Sequence, residues 1–243
     1  MDGQRCAAAA SSVLRDVMNQ PAISVIIPVL GEQLRINGVI DHLSQVAPDC
    51  EIIVVDGDPA GTTLTVIADT RVIRLAAPRG RGSQLSAGAG RAAGPILLML
   101  HADTRLSGNA LSSIRSAVAC DAEWGAFRLG IADQGLAFRI IERAVDLRCK
   151  AFSLPYGDQA IFATSKALDA AGGIPAIPLM EDVELALRLK RAGQPFRLLD
   201  ERISTSARRW RKDGILRRTV CNWWLLLRHL AGADCGDLER KYR

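Results

Sequence analysis

Aromatic residues make up only 5% of this 243-residue chain, although its net charge is +5. Basic charge without a zinc-finger spacing, an RNA-binding signature or abundant stacking side chains argues against nucleic acid as a partner. The six cysteines, Cys6, Cys50, Cys120, Cys149, Cys221 and Cys235, never fall in C-x-x-C spacing. Neither a zinc site nor a disulfide framework is indicated, and the thiols read as reduced and structural. No apolar run approaches the roughly 18 residues of a membrane span. The run Trp223-Trp224-Leu225-Leu226-Leu227 is broken by Arg228 and His229. Residues 1–21 carry Asp2 and lack the apolar core of a secretory signal, so they read as a flexible tail on a cytoplasmic protein. The first strand is followed by Pro28-Val29-Leu30-Gly31-Glu32 instead of G-x-G-x-x-G, which disfavours NAD and FAD.

What is present is a chain with 49% hydrophobic residues, enough to bury a large core in one domain over 22–243. Its charge is uneven. From Arg188 to Arg218 there are 11 Lys/Arg against three Asp/Glu, which points to an anionic ligand, and the phosphates of a small molecule fit best. Apolar strands at Ile23–Pro28, Glu51–Asp56, Val72–Leu75 and Ile96–Leu100 alternate with helical patterns at Leu34–Val46, Thr63–Ala68 and Gln84–Ala93. That alternation predicts an α/β fold with a mostly parallel sheet covered by helices. Further on, the pattern predicts helices from Gly108 to Cys120 and over Leu136–Lys150, Glu181–Arg191 and Gly214–Leu230. Strands are expected at Trp124–Leu129, Ala160–Thr164, Phe196–Leu199 and Ile203–Thr205.

Asp103 follows the strand Ile96–Leu100, where a carboxylate can hold a divalent cation or serve only as a turn residue. Asp56 ends the second strand and suits either a ribose hydroxyl or a tight Asp-Gly turn. Arg79-Gly80-Arg81-Gly82 precedes a helix of small residues; glycines, arginines and a helix N-terminus together favour an anion, and an exposed basic loop is the plain alternative. Met180-Glu181-Asp182 opens a helix behind Pro175 and Pro178. Such carboxylates cap helices, and they can also act as a general base toward a hydroxyl. Ser206 to Lys212 is a basic segment around Trp210, read either as a lid over a diphosphate or as a solvated turn.

In this order, Ile27-Pro28-Val29 with Glu32, Val55-Asp56-Gly57, Pro78-Arg79-Gly80-Arg81, Leu100-His101-Ala102-Asp103-Thr104, Gly157-Asp158-Gln159, Met180-Glu181-Asp182 and Ala207-Arg208-Arg209-Trp210 resemble the family 2 glycosyltransferases. The resemblance spans about Ile23 to Tyr242 and looks closest to the bacterial arsenosugar-biosynthesis subgroup associated with radical-SAM genes. It implies a GT-A fold, a nucleotide-diphosphate sugar donor (UDP-sugar first), a hydroxyl acceptor that is a small molecule or lipid-linked, and Mn²⁺ or Mg²⁺. By the same resemblance Asp103 would bind the metal, and Pro28, Val29, Glu32, Asp56, Arg79, Arg81 and His101 would line the donor pocket. Asp182 with Glu181 would be catalytic, and Gly157, Asp158, Gln159, Arg209 and Trp210 would face acceptor and diphosphate.

The chain departs from the family pattern in three places. His101 stands where the D-x-D pattern has its first Asp, Gly31 replaces the Asn of P-x-x-N-E, and Asp58-Pro59-Ala60-Gly61-Thr62 replaces G-S-x-D-G-T. The Gln of Q-x-x-R-W is also absent. A dehalogenase-like phosphatase would need a nucleophilic Asp where His101 stands, and a sugar nucleotidyltransferase would need a G-x-G-T-R loop. The remaining rival is a non-catalytic nucleotide- or anion-binding protein. The last helix, with paired tryptophans and basic neighbours, is expected to pack on the core, with a peripheral membrane contact or a homodimer interface as the other readings.

Overall fold

A computed structural model describes residues 23–133, 135–205, 214–233, 235, 236 and 240. Eight strands form one sheet in the order β3-β2-β1-β4-β7-β6-β8-β5. In chain order these are β1 (Ile23–Val29), β2 (Glu51–Asp56), β3 (Ile73–Ala76), β4 (Ile96–Met99), β5 (Thr104–Arg105), β6 (Trp124–Ile131), β7 (Phe162–Thr164) and β8 (Phe196–Thr205). The helices are α1 (Ile36–Val46), α2 (Arg81–Ala89), α3 (Ala110–Ala119), α4 (Leu136–Phe152), α5 (Ser165–Ala170), α6 (Glu181–Arg191) and α7 (Ile215–Leu230).

The apolar runs of β1, β2 and β4 are explained by burial on both faces. Ile23, Val25 and Ile27 point to one face, where Ile36, Ile40 and Leu43 of α1 and Leu111 and Ile114 of α3 cover them. Ile26, Ile53, Val55 and Met99 point to the other, against Leu85 of α2, Val183 and Leu189 of α6, and Leu225 and Leu226 of α7. The alternation of strand side chains thus assigns each helix its layer.

β1 pairs in parallel with both β2 and β4, so the chain winds outward through β3 and then returns to the far side of β1. That reversal opens a crevice at the carboxyl ends of β1 and β4, the usual ligand position in open α/β sheets. Beyond β4 the sheet is mixed: β7 runs antiparallel to β4 and β6, β6 and β8 are parallel, and β5 is antiparallel to β8.

Several boundaries differ from the sequence reading. The helix expected at Thr63–Ala68 is a three-residue 3-10 turn, Leu64–Val66. The two strands expected after Pro195 are one strand, β8, with an irregularity opposite Ala126–Arg128. α2 starts three residues earlier than expected, at Arg81. On α7, Leu225 and Leu226 pack on the core as expected, whereas Trp223 and Trp224 are exposed. The five cysteines among the described residues are free thiols, and no described helix is long and apolar enough to cross a membrane. The 1–21 tail, Arg209 and Trp210 lie outside the described residues.

Candidate active site

The crevice is floored by carbonyls that a single side chain ties together. Gln84, buried on α2, donates from Nε2 to the carbonyls of Val29 and Val55, each at 2.7 Å. This amide locks the carboxyl ends of β1 and β2 and packs against Gly57, where a Cβ would lie 3.0 Å from its side chain. Pro28 and Val29 are buried beneath it, and the Val29 carbonyl also accepts from the Gly57 amide at 3.0 Å.

Asp56 is fully buried, and its carboxylate fastens the loop that follows. Oδ1 accepts from the Asp58 amide at 3.0 Å and Oδ2 from the Thr63 amide at 2.9 Å. The unusual loop is further closed by Thr62, whose hydroxyl donates to Asp58 at 2.6 Å and accepts from Gln33 at 2.7 Å. The Thr62 hydroxyl and the Ala60 amide hold the Asp58 carboxyl below its ordinary value. Glu32 meets this loop through its amide, which donates to Thr63 Oγ1 at 3.2 Å, while its carboxylate pairs with Arg35 at 2.9 Å. Arg79 is exposed at the loop before α2.

The second half of the site forms around the 3-10 turn Gly157–Gln159. The Gly157 amide donates to Asp182 Oδ2 at 2.7 Å, and Asp182 Oδ1 accepts from the Val183 amide at 2.8 Å. A Cβ at Gly157 would lie 2.9 Å from His101 Nε2 and 3.4 Å from Asp182 Oδ2, so the missing side chain is what lets His101 and Asp182 converge. Asp182 sits in the first turn of α6, whose acids lie at its N-terminus and whose Arg188, Lys190 and Arg191 lie at its end, as the helix dipole favours.

Glu181 is 1% exposed and lines a small, closed cavity together with His101, Gly157 and Asp182. One oxygen pairs with Arg81 at 2.9 Å, and the other is buried without a hydrogen bond. Burial raises its carboxyl above the ordinary value against the pull of Arg81. Asp158 is a half-buried residue whose carboxyl is itself buried. Burial raises it from 3.8 to about 6; Arg148 and Arg81 lower it, while Asp182 and Asp103 raise it.

Asp103 lies on the turn between β4 and β5, and no hydrogen bond or ion pair joins it to another of the described residues. Beside it a cavity of about 360 Å³ opens between α1 and the Ala102–Arg105 turn, lined also by Arg35, Val39 and His42. Among the described residues, no three His, Cys, Asp or Glu side chains form a closed metal site. A hard carboxylate with an acidic neighbour nevertheless suits Mg²⁺ or Mn²⁺, which take one or two protein oxygens and complete their shell with phosphate and water. The donor set therefore fits a cation carried with a diphosphate.

Three contributors escaped the sequence reading. Gln84 is one. Gly82 is another: a Cβ there would lie 2.3 Å from the Pro175 carbonyl and 2.6 Å from the Ile177 carbonyl, so α2 touches the backbone of the loop leading to Asp182. The third is Arg148 of α4, which stacks 3.5 Å from the Tyr156 ring centroid and donates to Leu154 O at 2.9 Å and Gln159 Oε1 at 3.0 Å. Gln159, fully buried, donates onward to the Phe127 carbonyl at 3.0 Å. It anchors the turn and does not face the crevice. The tight spacing in Gly80-Arg81-Gly82 was the one signal in the sequence for any of these contacts.

Residues 24–126 match the family model for glycosyl transferase family 2. Among solved structures, a mannosyltransferase from Pyrobaculum calidifontis in complex with GDP-Man and Mn²⁺ superposes with a TM-score of 0.61 at 15% identity, covering 76% of this chain and 56% of that one. TarS 1–349 of S. aureus superposes with a TM-score of 0.60 at 14% identity, covering 76% and 60%; its complex with UDP-GlcNAc gives 0.58 at 14% identity, covering 76% and 58%. The chain thus spans less than two thirds of the length of these solved proteins. No curated protein matches it. Residues 24–126 thus match glycosyl transferase family 2, and the fold is the GT-A fold of these solved structures.

Proposed function

We propose that this protein transfers a sugar from a nucleoside diphosphate donor to a hydroxyl acceptor with inversion at the anomeric carbon. The observation that carries the reading is the convergence of His101 and Asp182 on the side-chain-free Gly157 just beyond the carboxyl end of β4, with Asp103 on the turn that follows His101 and Arg81 paired to the neighbouring Glu181. The nucleoside lies over Pro28, Val29 and the Asp56-fastened loop, and the diphosphate lies toward Asp103 and Arg81. Asp103 would hold a divalent cation, which when bound would supply neutralising charge to the leaving diphosphate. Arg81, anchored to Glu181, adds a fixed positive charge on the same group.

Asp182 is the base. Each of its oxygens accepts one backbone N–H, which fixes the carboxylate and leaves lone pairs for the acceptor hydroxyl. The acceptor proton passes to Asp182 as its oxygen attacks C1 from the face opposite the diphosphate. Glu181, turned into the core, is a positioning residue for Arg81. UDP is the first donor expectation, and the solved relatives carry GDP-Man or UDP-GlcNAc. The arsenosugar acceptor implied by the motif resemblance is the small-molecule candidate to screen.

The test is turnover with UDP- and GDP-sugars plus Mn²⁺, on the wild type and on Asp182→Asn. Release of nucleoside diphosphate by the wild type and its loss in Asp182→Asn, with donor binding retained, supports the reading. Donor binding without turnover in any acceptor screen, unchanged by Asp182→Asn, makes the protein a nucleotide-binding module.

A further inference from the structure

α4 presents an amphipathic face that the transfer reaction does not use. Both of its acids are turned inward: Glu142 is 3% exposed, paired with Arg139 at 2.8 Å and Arg202 at 3.6 Å, and Asp146 pairs with Arg202 at 3.2 Å. Its outward face carries Leu136 (76% exposed), Ile140 (60%) and Leu147 (68%), with Phe152 (61%) at the end. At 3.6 residues per turn these three aliphatic side chains fall within about 40° of arc, and Ala144 and Ala151 extend the apolar stripe on one side. Along its other edge stand Arg143 and Lys150, both exposed. No acidic residue of α4 faces solvent.

A second stripe of the same kind lies on α7, where Val220, Trp223, Trp224 and Leu227 are exposed and the Arg228 guanidinium lies 5.9 Å from the Trp224 ring centroid. Both helices adjoin α6: Lys190 donates to the Phe152 carbonyl at 3.3 Å, and His229 meets Glu184 at 3.4 Å.

We propose that the α4 stripe docks on an anionic phospholipid surface. Large aliphatic side chains enter the boundary between headgroups and acyl chains, while Arg143 and Lys150 stay level with the lipid phosphates. Charge decides among occupants. An edge that is only basic gives a second copy of this chain no acid on either stripe to pair with, whereas lipid phosphates match it along its length. The inference needs neither donor nor turnover, so it stands or falls apart from the proposed reaction.

Flotation of the full chain with phosphatidylcholine vesicles, with and without phosphatidylglycerol, tests it. The wild type should float with the phosphatidylglycerol vesicles and be released by salt. Arg143→Glu with Lys150→Glu should weaken binding by about tenfold or more. Ile140→Glu with Leu147→Glu should abolish it, with melting temperature and nucleotide binding unchanged because both side chains are solvent-facing. Failure of the folded wild type to bind anionic vesicles overturns the proposal, as does wild-type binding by Ile140→Glu/Leu147→Glu. A stable dimer by light scattering that this double variant converts to monomer would instead make the stripe a self-interface.

Discussion

Two neighbouring carboxylates, Glu181 and Asp182, have been given opposite tasks by the direction in which α6 turns them. Asp182 faces Gly157 and the crevice, while Glu181 faces the core and holds Arg81. Asp182→Asn preserves size but keeps only one of the two N–H acceptances, its amide nitrogen replacing the other acceptor; donor binding, which does not run through this side chain, should persist while turnover falls about 10²–10⁴-fold, the usual weight of a general base. Steady-state kinetics beside calorimetric donor binding checks this. Asp158 gives a stability prediction. Its carboxyl keeps its proton to about 6 in the fold against 3.8 ordinarily. The folded state therefore binds more protons than the unfolded chain across that window, and its stability falls as pH rises through it. Asp158→Asn should raise the melting temperature at about pH 8, by about 1–3 kcal/mol in stability, and make little difference near pH 4. A melting series against pH reads this directly; equal gains at both ends would contradict it.

At the level of elements, the site depends on how closely α2 approaches its neighbours. Gly82→Ala places a methyl against the Pro175 and Ile177 carbonyls, which must move the loop leading to Asp182. About 1–3 kcal/mol of stability should be lost, and kcat should fall more than donor affinity, since the displaced loop leads into the helix turn that holds the proposed base. Gln84→Ala removes the amide bonded to the Val29 and Val55 carbonyls, and chemical denaturation should show a loss of about 1–3 kcal/mol. These elements also separate what the sequence shows from what it hides. β1, β2, β4 and α6 were legible because their apolar patterns answer to burial and periodicity. The 3-10 turn at Leu64–Val66 was read as a helix because the strand–helix alternation expects one between β2 and β3, although its β-branched residues disfavour it, and the carboxylate of Asp56 and the Asp58–Thr62 hydrogen bonds set the backbone there. Asp103, Asp182 and Arg81 were legible as residues beside strand and helix ends. The clamps made by Gln84, Gly82 and Arg148 were not, because each acts on a backbone distant in sequence.

At the scale of the molecule, one sheet organises two surfaces. Its reversal at β1 and β4 creates the crevice, and its continuation through β7, β6 and β8 carries α4, whose Arg148 reaches back to the Gly157–Gln159 turn. The proposed acceptor side of the site and the proposed lipid-facing helix are thus joined by a few residues of chain. In the proposed reaction Asp103 and its surroundings receive a nucleoside diphosphate together with a divalent cation. Calorimetric titration of UDP, and of GDP if UDP fails, with and without Mn²⁺, on the wild type and on Asp103→Ala, tests it most directly. The account predicts binding by the wild type that is strengthened at least tenfold by Mn²⁺, and loss of that enhancement in a folded Asp103→Ala protein, one carboxylate-to-metal bond being worth more than the roughly 1.4 kcal/mol of a tenfold change. Absence of binding by either nucleotide in a folded sample, or Mn²⁺ enhancement that survives Asp103→Ala, would contradict it.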